Sequence, residues 1–213
     1  ISSLLKVKDH TVSGEESEIW ECNNCTQRFT QNIPDKENIS KYYQSENYIS
    51  HSDTTKGLVN NLYHKVRKHT LIQKRKLIIG STKKNNGNIL DVGAGIGAFL
   101  NTMKMANWKI TGTEPDKKAR EKAMQLYGIN LNQSEKLYSF PGKSFDAITL
   151  WHVLEHVHDL HEYVEQLKKL LSANGKLFIA VPNYTSKDAN IYKEYWAAYD
   201  VPRHLYHFSP LSM

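Results

Sequence analysis

The stretch "LDVGAGIGAF", residues 90–99, decides the predicted fold of this 213-residue chain. An apolar segment leads directly into a loop containing Gly93, Gly95 and Gly97, where the missing Cβ atoms let the backbone turn tightly and approach a ligand. About twenty residues later a second predicted strand ends in Glu114, whose carboxylate can accept hydrogen bonds from ribose hydroxyls. A glycine loop after the first strand and an acid after the second together predict a nucleotide-binding α/β domain.

Strand and helix patterns alternate from residue 88 onward. The predicted strands are 88–92, 108–114, 129–133, 145–151 and 175–183. Helices are predicted over 96–106 (Phe99, Leu100 and Met103 inward), over 116–127 (Ala119, Ala123, Met124 and Tyr127 inward) and over 160–171, with Asp159 and Glu162 as a capping box. This alternation predicts a mostly parallel sheet with flanking helices, which binds ligands at the carboxyl ends of its strands.

Two ligands fit the glycine loop. The spacing Gly93-x-Gly95-x-x-Ala98 satisfies the dinucleotide fingerprint of an NAD(P)-dependent oxidoreductase. Asp91 favours S-adenosylmethionine (SAM) instead, because a carboxylate suits an ammonium or sulfonium group and repels a pyrophosphate. No Tyr-x-x-x-Lys pair, which would support the oxidoreductase, follows the strand at 145–151. A binding module built on a degenerate catalytic fold is a third alternative, and the intact acids and glycines argue against it.

These motifs together resemble the class I SAM-dependent methyltransferases. The signature D-x-G-x-G-x-G is present at 91–97, "SFDAITLWHVLEHV" is similar to the family's fourth-strand motif, and "LKKLLSANGKLFIAVPN" to the block leading into its fifth strand. The resemblance implies a Rossmann-like sheet of seven strands, the last two beyond Met213, behind a small N-terminal module. The nearest subgroup has a Cys-rich N-terminal module and a "DVPRHLYHFSP" ending, and is similar to sugar C-methyltransferases and ubiquinone-pathway O-methyltransferases.

The resemblance also implies a reaction and a cofactor site. SAM would be the methyl donor, S-adenosylhomocysteine the product, and a small molecule the acceptor, with a sugar or quinone-like phenol preferred over a lipid or tRNA base. The implied cofactor-binding residues are Asp91, Gly93, Ala94, Gly95, Gly97, Glu114, Pro115, Trp151 and His152.

Methyl transfer to a hydroxyl or carbon nucleophile needs a general base, and histidine suits that role near neutral pH. The candidate bases are His152, His204 and His207. After the fifth predicted strand, Trp196, Tyr199 and Arg203 are expected to line a substrate pocket, with Arg203 binding an anion. The alternative for this segment is a packed loop in which Arg203 pairs with Asp200.

His152, Glu155 and His156 spell H-x-x-E-H, which is a zinc-protease signature. A metalloprotease places this motif within a helix, whereas here it begins where a buried strand ends. We therefore expect Glu155 and His156 to form hydrogen bonds that position the loop. Some ubiquinone-pathway methyltransferases that this stretch resembles are thought to hold a divalent cation with its acids, and His152 in place of an acid disfavours Mg²⁺. His158 and His161 are expected at the surface.

Cys22 and Cys25 form a C-x-x-C pair within a predicted hairpin over 18–30. A structural zinc ion takes four ligands, so this pair is half of a site. The subgroup resemblance implies another C-x-x-C upstream, and zinc is expected only with those ligands. Two free thiols or a strained disulfide are the alternatives.

Three segments are predicted along the chain: an N-terminal module (1–56), a connecting helix (57–80) and a SAM-binding core (81–213). The apolar face of the helix is assigned to Leu58, Leu62, Val66, Leu71 and Ile72. Within the module, residues 42–51 are expected to act as a lid over the cofactor, with Tyr48 and His51 pointing inward as the subgroup resemblance implies.

The formal net charge is +6, with a basic cluster at 63–76 interpreted as a solvated helix face. Nucleic acid is not expected as a partner. No apolar run approaches the ~20 residues of a membrane span, and the first ten residues lack the apolar core of a signal peptide, so the sequence predicts a cytoplasmic protein. The first residue is Ile1 rather than methionine, and we expect residues to be missing at both ends.

Overall fold

The computed structural model describes residues 1–43 and 58–213. By their internal contacts the residues divide into two compact units. The first contains Ile1–Asp53, Leu154–His158 and Val181–Met213, and the second contains Thr54–Val153 and Asp159–Ala180. The prediction placed 81–213 in one core, whereas residues 181–213 cluster with the first unit. The expected lid residues Tyr48 and His51 lie outside the described residues.

The described residues form eight strands and five α-helices, with short 3₁₀ turns between them. In chain order these are β1 (Ser2–Lys8), β2 (Glu16–Glu21), β3 (Arg28–Thr30), α1 (Leu58–Thr82), β4 (Asn88–Val92), α2 (Ala98–Lys104), β5 (Lys109–Thr113), α3 (Lys117–Tyr127), β6 (Phe145–Trp151), α4 (Leu160–Leu170), β7 (Leu171–Ala180), α5 (Lys187–Tyr192) and β8 (Tyr206–His207). No helix in the described ranges is long and apolar enough to cross a membrane.

The first unit contains an antiparallel sheet in the order β1-β2-β3-β8. The predicted hairpin over 18–30 is confirmed as β2 and β3. The sequence did not predict β1 or the pairing of β3 with β8, in which Arg28 lies opposite His207. The core of this unit is formed by Val7, Ile19, Tyr199 and Val201.

The second unit contains a parallel sheet in the order β5-β4-β6-β7. Because β5 and β6 lie on opposite sides of β4, the carboxyl end of β4 is a topological switch point, where open α/β sheets bind ligands. The predicted mostly parallel sheet with flanking helices is confirmed. The weak predicted strand over 129–133 is reduced to a single bridge between Thr113 and Asn132, so four of the five predicted strands form this sheet.

The flanking helices bury most of the predicted faces. Phe99, Leu100 and Met103 of α2 are buried as predicted. The prediction for Met124 was wrong, because the face of α3 that turns inward is centred on Ala123 and leaves Met124 48% exposed. In α1 Val66 is 57% exposed, against the prediction, and among the side chains of this helix that the structure describes, Ile78 is fully buried. The side chains of Leu58 and Leu62 lie outside the described residues.

Three helix ends were also predicted. Helix α3 begins after Asp116, whose carboxylate accepts hydrogen bonds from the backbone N–H groups of Lys118 and Ala119, and it ends at Gly128 in a left-handed conformation. Helix α4 begins after Asp159, as expected, but the side chain of Asp159 makes no capping hydrogen bond. The capping-box prediction was therefore right about the boundary and wrong about the interaction.

Candidate functional site

The glycine loop between β4 and α2 lies at the switch point of the parallel sheet. Gly93, Gly95 and Gly97 all have positive φ angles, of 67°, 54° and 76°, which side chains rarely tolerate. A Cβ at Gly93 would lie 2.5 Å from the Val153 side chain, whereas a Cβ at Gly95 would meet nothing within 4 Å. The Val153 side chain therefore packs against the loop at Gly93, whereas the space in front of Gly95 is open to a ligand.

Glu114 follows β5 and anchors this loop. Its carboxylate accepts hydrogen bonds from the backbone N–H of Gly95 at 2.8 Å and of Asp116 at 3.0 Å. Burial raises the pKa of Glu114, and these two backbone donors act in the opposite direction. Since each carboxylate oxygen can accept more than one hydrogen bond, Glu114 can hold the loop and still receive ribose hydroxyls.

Asp91 is the last but one residue of β4 and is fully buried. Its carboxyl group accepts a hydrogen bond of 2.6 Å from Thr149 Oγ1 on β6. Burial raises the pKa of Asp91 to about 7, against the hydrogen bond from Thr149 and the positive charge of Lys74. A cation that binds beside this carboxyl group would stabilise its ionised form, which the protein alone stabilises poorly.

Trp151 and His152 lie at the carboxyl end of β6. The Trp151 ring packs edge-on against Phe99 and has the Lys74 ammonium 4.1 Å from its centroid. His152 is exposed, has a φ of 60°, and donates its backbone N–H to the Ala180 carbonyl at 2.8 Å. The second unit thus gathers, at the carboxyl ends of β4, β5 and β6, the predicted cofactor residues Asp91, Gly93, Ala94, Gly95, Gly97, Glu114, Pro115, Trp151 and His152.

The other two candidate bases lie in the first unit. His207 is buried, with its Nε2 atom 3.0 Å from the Thr30 hydroxyl, and burial lowers its pKa well below the usual value. The Nδ1 atom of His204 lies 2.9 Å from the Ala198 carbonyl, and burial also lowers the pKa of His204. Both imidazoles are engaged in the packing of the first unit, and His152 is the candidate base that is exposed.

The predicted substrate residues also lie in the first unit. Arg203 is 1% exposed and pairs with Asp9 at 3.1 Å and with Asp200 at 2.6 Å. The ion-pair alternative is therefore the one that the structure realises, and it corrects the expectation that Arg203 binds an anionic substrate. Tyr199 is buried with its ring against those of Trp196 and His207, each at 5.2 Å.

Glu155, His156 and His204 converge in the first unit, with one ligand atom of each within 4.8 Å of the others. His156 Nδ1 lies 3.0 Å from the Arg203 carbonyl, and burial lowers the pKa of His156 to about 4. The Glu155 carbonyl accepts the backbone N–H of Leu205 at 2.8 Å. The contact of His156 agrees with the expectation that it positions the loop, whereas the bond of Glu155 is made by its backbone, so the role of the Glu155 side chain stays a prediction. The three side chains could hold a metal ion. The local pattern contains no signal for His204 as a partner, because it is 48 residues from His156 in the chain.

Of the two neighbouring histidines expected at the surface, His158 and His161, one is exposed. His161 is exposed at the start of α4. His158 is half-buried, with its Nε2 atom 3.0 Å from the Pro34 carbonyl. The prediction for His158 was wrong because a distant loop, around residue 34, covers it.

Cys22 and Cys25 lie in the turn between β2 and β3, and both thiols are free. The backbone N–H groups of Cys25 and Asn24 donate to the Cys22 sulfur and lower its pKa. In the described part of the chain, no histidine or carboxylate joins the two thiols in a metal-ligating group. Two thiols do not complete the four-ligand set of a structural zinc site, so the residues present do not by themselves fit zinc.

The chain belongs to a methyltransferase family: residues 63–213 match the family model described as "Methyltransferase domain". It is 29% identical over 125 residues to the ubiquinone biosynthesis O-methyltransferase of Pelagibacter ubique, which covers 56% of this chain and 52% of that protein. It is 25% identical over 119 residues to the demethylmenaquinone methyltransferase of Tropheryma whipplei, covering 54% of this chain and 50% of that protein. The chain thus spans about half the length of the curated relatives it matches.

Solved structures show the same fold. A SAM-dependent methyltransferase from Archaeoglobus fulgidus superposes with a TM-score of 0.56 at 24% identity, covering 68% of this chain and 63% of that one. Magnesium protoporphyrin IX methyltransferase from Synechocystis, with bound S-adenosylhomocysteine, superposes with a TM-score of 0.60 at 17% identity, covering 84% and 85%. At these identities the likeness concerns the fold.

Proposed function

We propose that this chain transfers a methyl group from SAM to a small-molecule acceptor. The observation that carries the proposal is the joint placement of Asp91, the open glycine loop and Glu114 at the switch point of the sheet. Membership of the methyltransferase domain family supports the same conclusion.

The residues of the second unit fit SAM by their chemistry. Gly95 presents backbone with open space in front of it, which suits the close approach of a nucleoside. Glu114 offers acceptor oxygens for the two ribose hydroxyls, and Asp91 offers a buried carboxyl group to an ammonium. When bound, SAM supplies an electrophilic methyl group on a sulfonium. The protein must then orient the acceptor, exclude water and remove a proton.

The finer parts of the proposal concern the acceptor and the base. The names of the relatives point to a quinone-like phenol, with a sugar as the alternative that the ending "DVPRHLYHFSP" suggests. We favour His152 as the general base among the three candidates, because it is exposed at the carboxyl end of β6. Trp196 and Tyr199 stay predictions as substrate residues.

Zinc binding by the N-terminal module and a cytoplasmic location are also proposals. A Cys-rich module that binds zinc through Cys22 and Cys25 would require ligands beyond those the structure describes, and the lowered pKa of Cys22 is what supports it. A cytoplasmic location agrees with two thiols that are not joined as a disulfide, as is usual in reducing compartments.

An NAD(P)-dependent oxidoreductase is the competing function. The spacing of Gly93, Gly95 and Ala98 supports it, whereas the buried Asp91 beside the loop disfavours a pyrophosphate. A binding module on a degenerate fold is the remaining alternative, and the intact hydrogen bonds between Glu114 and the loop argue against it.

Calorimetric titration with S-adenosylhomocysteine, with NAD as the control ligand, tests the proposal. We expect saturable binding of S-adenosylhomocysteine alone. Binding of NAD in its place would establish the oxidoreductase alternative. Binding of neither ligand would contradict an assigned cofactor site in this chain and would favour the degenerate binding module.

A further inference from the structure

The first unit contains a cavity of about 370 Å³ between the end of β1 and the segment 194–203. All of the residues that line this cavity belong to the first unit. Its volume lies at the lower end of the range for small-molecule sites, so it can hold one small organic ligand. The cavity shares no residue with the predicted cofactor site at the glycine loop.

Three side chains with aromatic rings line this cavity: His10, Tyr195 and Trp196. The ring centroids of His10 and Tyr195 lie 6.2 Å apart, with an interplanar angle of 33°. Trp196 is half-buried and is held by edge-on packing against Tyr199. Tyr195 is 70% exposed, so most of its ring is available to a ligand. Aromatic faces attract both apolar groups and organic cations, so the charge of the cavity decides between these two kinds of ligand.

The charges beside these rings favour a cation. Arg203 donates to Asp9 and to Asp200, so two carboxylates share one guanidinium. The carboxylate of Asp9 is buried and also accepts hydrogen bonds from the backbone N–H groups of Thr11 and Ser13. The side chain of Asp200 lines the cavity and is 20% exposed, so the excess negative charge is accessible to a ligand at Asp200.

Neither His204 nor Lys8 supplies the missing positive charge. The Nε2 atom of His204 lies 3.9 Å from an oxygen of Asp200, but burial lowers the pKa of His204 and thereby favours its neutral form. Lys8 and Glu194 line the cavity with opposite charges, and both are exposed to solvent, which screens them. An anionic ligand would therefore be repelled, which is opposite to the anion-binding role that the sequence predicts for Arg203.

We propose that this cavity binds a small organic ammonium compound, with its alkyl groups against the rings of Tyr195 and Trp196 and its charge beside Asp200. Aromatic rings attract a quaternary ammonium without needing a hydrogen bond from it, and a nearby carboxylate balances its charge. This site goes beyond the proposed methyl transfer and does not depend on it.

The test compares two probes of the same shape, choline and its uncharged analogue 3,3-dimethyl-1-butanol. Ligand-observed NMR titration of the chain follows the equivalent methyl protons that each probe carries. We expect choline to bind at least about fivefold more tightly than the alcohol, because only choline gains from the aromatic faces and from the carboxylate of Asp200. This comparison uses the unaltered chain and therefore does not depend on the folding of a variant.

Substitutions then locate the bound probe. Tyr195→Leu removes a ring and keeps apolar bulk, and we expect it to weaken choline binding about 3- to 10-fold. The control Tyr192→Leu alters an exposed tyrosine outside the cavity lining and should change the binding of neither probe. Asp200→Asn should bring the affinities of the two probes within about twofold of each other, and thermal melting verifies that each variant folds.

Three outcomes would overturn the proposal. Equal affinity of the unaltered chain for the two probes would show that charge does not select the ligand. The absence of saturable choline binding would exclude the site itself. Equal weakening of choline in Tyr195→Leu and Tyr192→Leu would place the probe outside the cavity. Each of these results leaves the proposed methyl transfer standing, because the cavity shares no residue with the cofactor site.

Discussion

Asp9 in the first unit and Asp91 in the second unit are both 2% exposed, yet their surroundings are opposite. The carboxylate of Asp9 accepts hydrogen bonds from the backbone N–H groups of Thr11 and Ser13 and pairs with Arg203. Burial would raise the pKa of Asp9, but these donors hold it well below its usual range. Asp91 has a hydrogen bond from Thr149, and burial raises its pKa to about 7.

The difference separates a carboxylate that stabilises a fold from one that is ready for a ligand. The charge of Asp9 is already balanced within the first unit, so the binding of a second cation there would be only weakly favourable. The protein stabilises the ionised form of Asp91 poorly, so the ammonium group of a ligand can supply the balancing positive charge. A buried acid with a raised pKa at the ligand-binding edge of a sheet indicates function more strongly than a buried acid in an ion pair.

Removing the partner of Asp9 should have the largest effect. Arg203→Met leaves the buried carboxylate of Asp9 without its countercharge, and we expect a loss of about 3–5 kcal/mol in the free energy of unfolding, measured with urea. Arg75→Met, at a half-buried arginine of α1, is the control and should cost less than about 1 kcal/mol. Equal losses in the two variants would show that the ion-pair network contributes no special stability.

Gly95→Asp should give the next largest effect, on the ligand side of the comparison. A carboxylate at Gly95 would fill the open space and repel Glu114, and we expect S-adenosylhomocysteine affinity to fall at least about 100-fold in calorimetry. Gly14→Asp is the matched control, because Gly14 also has a positive φ and open space but lies in the first unit. Retained affinity in Gly95→Asp would mean that the loop does not face the cofactor.

Glu114→Ala should weaken S-adenosylhomocysteine binding less, by about 10-fold, because backbone and adenine contacts persist when the ribose acceptors are lost. Glu114→Gln keeps one acceptor oxygen, so its affinity for S-adenosylhomocysteine should lie between those of Glu114→Ala and the unaltered chain. The exposed Glu121 of α3 provides the control variant Glu121→Ala, with unchanged affinity. If Glu114→Ala binds as tightly as the unaltered chain, the ribose is held elsewhere.

Asp91→Asn should act in the opposite direction to the other substitutions, because we expect it to increase stability by an amount that depends on pH. Because the pKa of Asp91 is raised by folding to about 7, the native state binds more protons than the unfolded state between about pH 4 and pH 7. Stability therefore falls as pH rises through this window, by about 1.4 kcal/mol for each of about three pH units, and Asp91→Asn should remove that fall. The substitution should add about 4 kcal/mol above pH 7 and nothing below pH 4.

Urea unfolding of both proteins from pH 4 to pH 8 measures the difference. The same substitution should weaken S-adenosylhomocysteine binding, because the partner of the ligand ammonium is lost. A difference in stability that does not change with pH would contradict the raised pKa. The analogous substitution Asp9→Asn should destabilise the protein at neutral pH, since the charge of Asp9 is balanced by Arg203.

The second unit could be predicted from sequence to a large extent because its determinants are local. Apolar strands, helix caps and a glycine loop recur over a few residues, and these placed four strands of the sheet and the residues at their carboxyl ends. The errors at Val66 and Met124 were also local, because an apolar residue adjacent to the buried stripe of a helix cannot be told from a member of it by spacing alone.

The first unit could not be predicted in the same way because its partners are distant in the chain. Asp9 and Arg203 are 194 residues apart, and the strands β3 and β8 come from opposite ends of the described chain. Nothing in the local pattern around Arg203 distinguishes a buried ion pair from an anion-binding role. The place of Lys74 was missed for a related reason, since a basic cluster on a helix does not show which member turns toward the sheet.

The pairing of β3 with β8 has a consequence for the order in which this protein is made. The Gln27 side chain donates to the His207 carbonyl across a separation of 180 residues, and β8 completes the edge of β3. A ribosome adding about 5–20 residues per second needs roughly 10–40 s to cover that distance. During this time the nascent hairpin exposes the unpaired edge of β3, a surface prone to association with other strands. The first unit is therefore completed only after translation has passed residue 207, and premature termination leaves it open to chaperones and proteases.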